Sequence, residues 1–269
     1  MTTYQTIRYE RSGDIGTLTL ARPEKRNAQN PLMWQELRDL GSQLLADDTL
    51  RCLLVTAKGP TFSAGIDLVE GLAGAVSDWA EGPLDDQTFG AGMVAAGTFT
   101  WIPKLGCPSI AAIQGHAYGA GLQLALSCDF RILARGAHVG LIETRFGIMP
   151  DMGATVRLPR IVGEGWAREL ILLGDIIDAT EALRIGLANR VVDDNELASA
   201  ATEFADRLAA QPPLAIRGAR RAIDAAWYSD PDESFRVAVE AQIGCLQSED
   251  FKEGVQAMTE DRAPQWHGR

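Results

Sequence analysis

Two stretches of this 269-residue chain follow one plan, an apolar strand that runs directly into a turn of small residues. The first is RCLLVTAKGPTFSAGIDL, Arg51 to Leu68; the second is PSIAAIQGHAYGAGLQLALSCD, Pro108 to Asp129, where the turn leads into a helix start. Small residues in such turns let another backbone or a ligand come close. At the first turn of a helix they also leave amide donors without partners. Two such turns after two apolar strands can converge, and two backbone N–H groups aimed at one oxygen form an oxyanion hole. The plan commits the chain to alternating strand and helix.

The flanking sequence carries the same alternation. YQTIRYERSGDIGTLTLARP reads as two strands around a Ser-Gly-Asp turn. From Pro31 to Leu45 the period changes: Leu32, Leu37, Leu40 and Leu44 fall near helical spacing. FRILAR and AHVGLIE read as further short strands. Between Asp67 and Pro108 lies a long segment of Gly, Ala and scattered aromatics, which reads as a lid or substrate wall containing helix. Its aromatics Trp79, Phe89, Phe99 and Trp101 read as packing groups, some of them near the ligand. After Val192 the composition turns helical with mixed charge, and Pro212 and Pro213 close one helix and start the next. We therefore expect an α/β core over residues 1–195 and a helical C-terminal region over 196–269 that packs on it.

Composition excludes several classes. A net charge of −11 and the lack of a basic stripe argue against nucleic acid. No apolar run reaches membrane-spanning length and the first residues lack a signal-peptide core, so we expect a cytoplasmic protein without a membrane partner. Cys52, Cys107, Cys128 and Cys245 show no zinc or CxxC spacing and read as reduced thiols. His116, His138 and His267 lack metal-ligand spacing, so no metal is expected. GAGLQL has Leu124 where a dinucleotide fingerprint needs its third glycine. GK[ST] and GxSxG motifs are absent as well, which removes the usual supports for nucleotide or serine hydrolysis.

The segments FSAGIDL, PSIAAIQGHAYGAGLQLALSCDFRI, IETRFGIMPDMGATVRLPRIVG, IDATEALRIGLANRVV and EDFKEGVQAMTEDRAPQWHGR, in this order, resemble the enoyl-CoA hydratase/isomerase (crotonase) family. The resemblance covers nearly the whole chain. It implies an α/β, crotonase-like spiral of β-β-α turns with a helical C-terminal trimerisation region, assembled as a homotrimer or a dimer of trimers. It implies an acyl-CoA thioester substrate of fatty-acid metabolism whose carbonyl sits between the amides of Ile66 and Ala120. Ala64, Gly65, Asp67 and Gly119 would line that position, and Arg22, Lys25 and Ala28 the coenzyme A end, where Arg22 and Lys25 could equally be solvated surface charges. Coenzyme A is then part of the substrate, and no separate cofactor is needed.

Chemistry beside a thioester carbonyl is proton transfer, which requires a carboxylate near the hole. Hydratases of this family carry two glutamates. Here the first position is Gln123, whose amide hydrogen-bonds but exchanges no proton, and the second is Glu143. Asp151 stands where many hydratases have a small residue. Glu143 with Asp151 resembles the family's dienoyl-CoA isomerases, although those carry an aspartate where this chain has Gln123. The expectation is a double-bond isomerase, with a 2-enoyl-CoA hydratase and a catalytically weak acyl-CoA binding protein as alternatives. Structural readings stand beside these: Asp151 as an exposed turn or helix N-cap, Glu143 as an ion-pair partner of Arg145, and His116 and Tyr118 as wall residues.

Overall fold

A computed structural model describes residues 4–71, 93 and 95–269. Trp79 and Phe89, and with them most of the expected lid, lie outside the described residues. The chain opens as read, with β1 (Ile7–Ser12) and β2 (Ile15–Leu20) forming an antiparallel hairpin. Parallel to β2 follow β3 (Cys52–Ala57), β4 (Ser109–Ile113), β6 (Phe130–Ala134) and β9 (Arg190–Val192), giving the order β1-β2-β3-β4-β6-β9. A second sheet runs β5-β7-β8, built from His116–Tyr118, His138–Gly140 and Ile176–Asp178.

The chain therefore visits both sheets in each turn. β4 leads through Gly115 into β5 and then into α2 (Ala120–Ser127), and β6 leads into β7 of the second sheet. The segment after β3 also reaches the second sheet, through an isolated parallel bridge between Ser63 and Ala117. This is the spiral of β-β-α turns that the resemblance implies. Gly115 makes the corner possible: its φ is +60°, and a Cβ there would sit 2.1 Å from the Pro60 carbonyl oxygen. Every residue of β4 is buried, because a strand covered on both faces has no polar side to show.

α1 occupies the expected span, Pro31–Leu45, and Asn30 caps it by accepting from the Met33 amide at 3.0 Å. Its inner stripe is Met33, Trp34, Leu37, Leu40 and Leu44, while Leu32 is only half-buried. Of the described aromatics in the long segment, Phe99 and Trp101 are core, and the Trp101 ring packs on Gly41 of α1.

The expected strand AHVGLIE stops early. β7 ends at Gly140, whose carbonyl accepts from Gly119, and Glu143 instead opens a 3-10 helix, Glu143–Phe146. Next come α3 (Ala154–Val162), α4 (Glu164–Leu173) and α5 (Ala179–Arg184). α6 (Leu197–Ala209) packs on β3, β4 and β6 and sends Leu197, Ala201 and Ala205 into the core. α7 (Pro213–Tyr228), α8 (Pro231–Gln247) and α9 (Glu249–Thr259) complete the chain and leave apolar side chains such as Trp227, Phe235, Phe251 and Met258 exposed.

Cys52, Cys107 and Cys128 are buried free thiols, and burial pushes Cys107 and Cys128 up to about 12. Among the described residues no helix is long and apolar enough to cross a membrane, and no cluster of His, Cys, Asp or Glu is set to hold a metal.

Candidate active site

The two small-residue turns come together as the sequence pattern predicts. Ser63 donates its amide to His116 O (2.9 Å) and accepts from the Tyr118 amide (3.0 Å), so the first turn is zipped to β5. On its other side the Gln29 amide donates to Gly65 O (2.7 Å), and the Asp67 amide donates to Gln29 O (2.8 Å). Backbone groups alternate in direction along an extended segment, so the Ile66 N–H between those bonds points away from Gln29. The Ala120 N–H, at the first position of α2, has no acceptor one turn earlier.

Gly65 brings the two amides together. Its φ is +98°, and a Cβ built on it would meet Tyr118 O at 2.9 Å and Ala120 N at 3.7 Å. Gly121 plays the same part from the other side, since a Cβ there would lie 2.7 Å from Ser63 Cβ and O. Neither the Ile66 nor the Ala120 amide finds an acceptor among the described residues. Two backbone donors without a partner among the described residues thus stand beside a contact whose glycines keep side chains out, an arrangement that can serve as an oxyanion hole.

Sequence reading missed the braces behind this hole. Gln29, fully buried, donates from Nε2 to Ala120 O (3.2 Å) and accepts from Trp34 Nε1 (3.1 Å), tying α1 to both turns. Asn27, also fully buried and at φ 52°, donates to the carbonyls of Lys58 and Thr61 and accepts from the Arg22 amide. An amide beside a helix cap was the only signal in the sequence, and it is a common one.

The Arg22 to Ala28 turn packs on the same loop, with the Ala64 amide donating to Arg26 O at 3.0 Å. Arg22 is buried. Its guanidinium donates to Ala28 O (2.6 Å) and pairs with Asp67 (3.1 Å) and Glu70 (3.2 Å). Asp67 in turn accepts from the amides of Val69 and Glu70, both at 3.1 Å. The Glu70 amide, then that of Val69 and the Arg22 charge, hold the Asp67 carboxyl below the usual range despite its burial. The facing charges of Arg22 and Asp67 thus set the shape of the loop, whereas Lys25 and Arg26 stand exposed on the turn.

The two carboxyl groups flank Gln123, Glu143 at its Nε2 and Asp151 one residue before the Met152 amide at its Oε1. Glu143 is 6% exposed and adjoins Gly119, where a Cβ would meet Glu143 Oε1 at 3.4 Å. Gln123 Nε2 donates to the same Oε1 at 2.8 Å, and Oε2 is buried with no partner among the described residues. Burial pushes the Glu143 carboxyl up and the charge of Asp151 adds to the rise, against the lowering by its own amide and by Gln123. Asp151 sits in the wall of a cavity of about 870 Å³ with Met152, Gly153, Met93, Thr100 and Leu126. Solvent reaches Asp151, yet the surrounding wall pushes its carboxyl up as well.

Of the structural alternatives, one holds: Asp151 stands exposed on the loop before α3. Arg145 reaches toward Asp175 at 3.9 Å, and no ion pair to Glu143 forms. α3 begins after Gly153, with no side-chain cap, so Asp151 does not cap it. His116 and Tyr118 stack with ring centroids 5.0 Å apart and share a 3.0 Å hydrogen bond. The site as a whole offers two amide donors for an oxygen and two carboxyl groups biased toward holding a proton, which suits proton transfer next to a carbonyl.

Known proteins resemble this chain over nearly its whole length. The family profile for Enoyl-CoA hydratase/isomerase matches residues 10–269. A Crotonyl-CoA hydratase of Syntrophomonas wolfei is 34% identical over 262 residues, covering 96% of each chain. A Carnitinyl-CoA dehydratase of Citrobacter koseri is 36% identical over 270 residues, covering 98% of this chain and 99% of that protein. Among solved structures, an enoyl-CoA hydratase from Bacillus anthracis superposes with a TM-score of 0.89 at 34% identity, over 98% of this chain and 100% of the other. A Thermobifida fusca homologue of the same description, solved in complex with CoA, matches with a TM-score of 0.79 at 35% identity over 90% of this chain and 93% of its own. With this coverage in sequence and in structure, the chain belongs to the enoyl-CoA hydratase/isomerase family.

Proposed function

We propose that this acyl-CoA enzyme shifts a double bond in an unsaturated acyl-CoA thioester. The observation that carries the reading is the locked amide of Gln123. A group that exchanges no proton occupies one of the two acid positions of a hydratase, and the proton chemistry falls to Glu143 and Asp151. In the proposed cycle Asp151 removes the proton alpha to the thioester carbonyl. The enolate oxygen accepts from the Ile66 and Ala120 amides, and Glu143 returns a proton at the far end of the conjugated system from Oε2. The substrate gains and loses one proton, and exchange with solvent returns Asp151 to its ionised and Glu143 to its protonated form, so no cofactor is called for; coenzyme A arrives as part of the substrate.

The anionic end of the coenzyme needs local positive charge on a chain of net charge −11. Lys25 and Arg26, exposed on the turn beside Ala64, supply it, with Ala28 and the inward-facing Arg22 shaping the turn. The exposed apolar side chains of α7 to α9 support self-association into trimers.

Addition of water to a 2-enoyl-CoA is the second reading. It is favoured by the names of the relatives, which are hydratases and a dehydratase. Purified protein supplied separately with 3-enoyl-, 3,5-dienoyl- and 2-enoyl-CoA thioesters separates the two. We expect loss of the starting alkene in the first two to outpace water addition to the third. Hydration as the sole reaction would overturn the isomerase reading in favour of the second.

A further inference from the structure

The Gln123 side chain is 1% exposed, and both ends of its amide are engaged. Its Oε1 accepts from the backbone amides of Met152 (2.8 Å) and Ala154 (3.3 Å), and its Nε2 donates to Glu143 Oε1 (2.8 Å). Backbone N–H groups only donate, so the end facing them is the carbonyl, and the end facing Glu143 is the NH2. The amide has one orientation, set from the loop side.

Two consequences reach the carboxyl groups. At Glu143, Oε1 faces a donor that accepts no proton, which leaves Oε2, buried and without a partner among the described residues, as the oxygen that carries and transfers one. At Asp151, the next residue, Met152, is fastened by its amide to the same side chain that holds Glu143. We propose that Gln123 is the positioning residue of the proton relay, selecting Oε2 of Glu143 as the proton-carrying oxygen and registering Asp151 against it. The inference rests on the reading of Glu143 and Asp151 as the acid–base pair, and deepens it.

The surroundings of Glu143 leave this contact in control. Asp151, from the loop before α3, is the charged group among the described residues that acts on Glu143. Arg145, on the same 3-10 helix, turns to Asp175. On β5, Tyr118 and His116 bond to each other, and on α4, Glu164 and Arg168 pair in solvent. Leucine at 123 removes the donor to Oε1 and leaves two backbone N–H groups unpaired. Glutamate at 123 keeps the shape but sets two carboxyls at hydrogen-bond distance, a pair that holds one shared proton to higher pH.

The test is exchange of the alpha and far-end protons of an unsaturated acyl-CoA thioester into D2O as a function of pH, the first reading Asp151 and the second Glu143. It is run on the wild type, Q123L and Q123E, with thioester affinity and Tm measured alongside. Q123L should lower exchange ~100-fold, as misplacement of a reacting group does, while affinity changes little. Q123E should restore exchange to within about tenfold of the wild type, and the limb of its profile carried by Glu143 should move up by about one pH unit. A merely structural role lowers rate and Tm together without moving that limb. Exchange by Q123L within about threefold of the wild type, or a Q123E limb that coincides with the wild-type limb, overturns the proposal even if Q123L folds poorly. A wild type that binds thioester but exchanges no alpha proton overturns the acid–base reading itself, and the positioning role with it.

Discussion

The two halves of the site are made of different material. The donor pair at Ile66 and Ala120 is backbone, held by Gly65, Gly121 and the bonds between Ser63 and β5, while the proposed acid–base half is three side chains, Gln123, Glu143 and Asp151. A backbone site is inseparable from the fold, since moving either amide moves a strand or a helix start. A side-chain site can be re-equipped one residue at a time on the same frame. That difference accounts for a chain that keeps the thioester frame yet carries an amide where a hydratase carries an acid.

Substitutions on each side should separate these halves. The largest effect is expected from Glu143→Ala, which removes the proton carrier without touching the donors. We expect kcat to fall ~10³-fold, or about 4 kcal/mol, in steady-state assays, with thioester affinity by titration nearly kept. Loss of affinity as great as the loss of rate would show that the halves are not separable. Next is Arg22→Met, which strands the buried Asp67 carboxylate behind the donor loop. A stability loss of about 3 kcal/mol is expected in denaturant unfolding, and an unchanged midpoint would remove the brace assigned to this pair.

Gly65→Val should cost about 2 kcal/mol through its positive φ and its contact with Tyr118 O. It should also abolish the downshift of the thioester carbonyl stretch that two donors produce, a vibration readable in a bound isotope-labelled ligand. A preserved downshift would place the donors elsewhere.

The smallest effect sharpens the comparison from the stability side. Burial raises the Glu143 carboxyl in the folded state, so between the unfolded and folded values the native state holds more protons and stability falls as pH rises. Glu143→Gln removes that burden. Its Tm should exceed the wild type slightly at neutral pH, and the gain should vanish in acid, where both forms are neutral. A gain that persists unchanged in acid would point to packing rather than charge. No counterpart is expected in the backbone half, which does not titrate.

Much of the frame was readable in the linear order. The β1–β2 turn, the span of α1 and the two small-residue turns all depend on period, caps and glycine, which act within a few residues. The family segments put forward Ile66, Ala120, Glu143 and Asp151 as one site by position alone, an assignment that the substitutions above test. The reading stopped where contacts are long-range. Arg22 looked like a candidate for phosphate or solvent, and only the approach of Asp67, 45 residues later, shows it turned inward. Glu143 looked like the end of a strand, but β7 runs out of partners at Gly140 and the chain coils into a 3-10 turn. Gln123 looked like a lost acid, and nothing local tells which way its amide faces.

By itself, then, the sequence determined alternating strands and helices with two glycine-lined turns, because close approach and unpaired amides follow from residue size and helix starts, while the spiral came from the family resemblance. Tertiary structure alone decided the state of each polar side chain. Gln123 meets Glu143 across 20 residues and Met152 across 29, and such partners exist only once separate strands and helices have packed, burying the groups so that each hydrogen bond fixes an orientation.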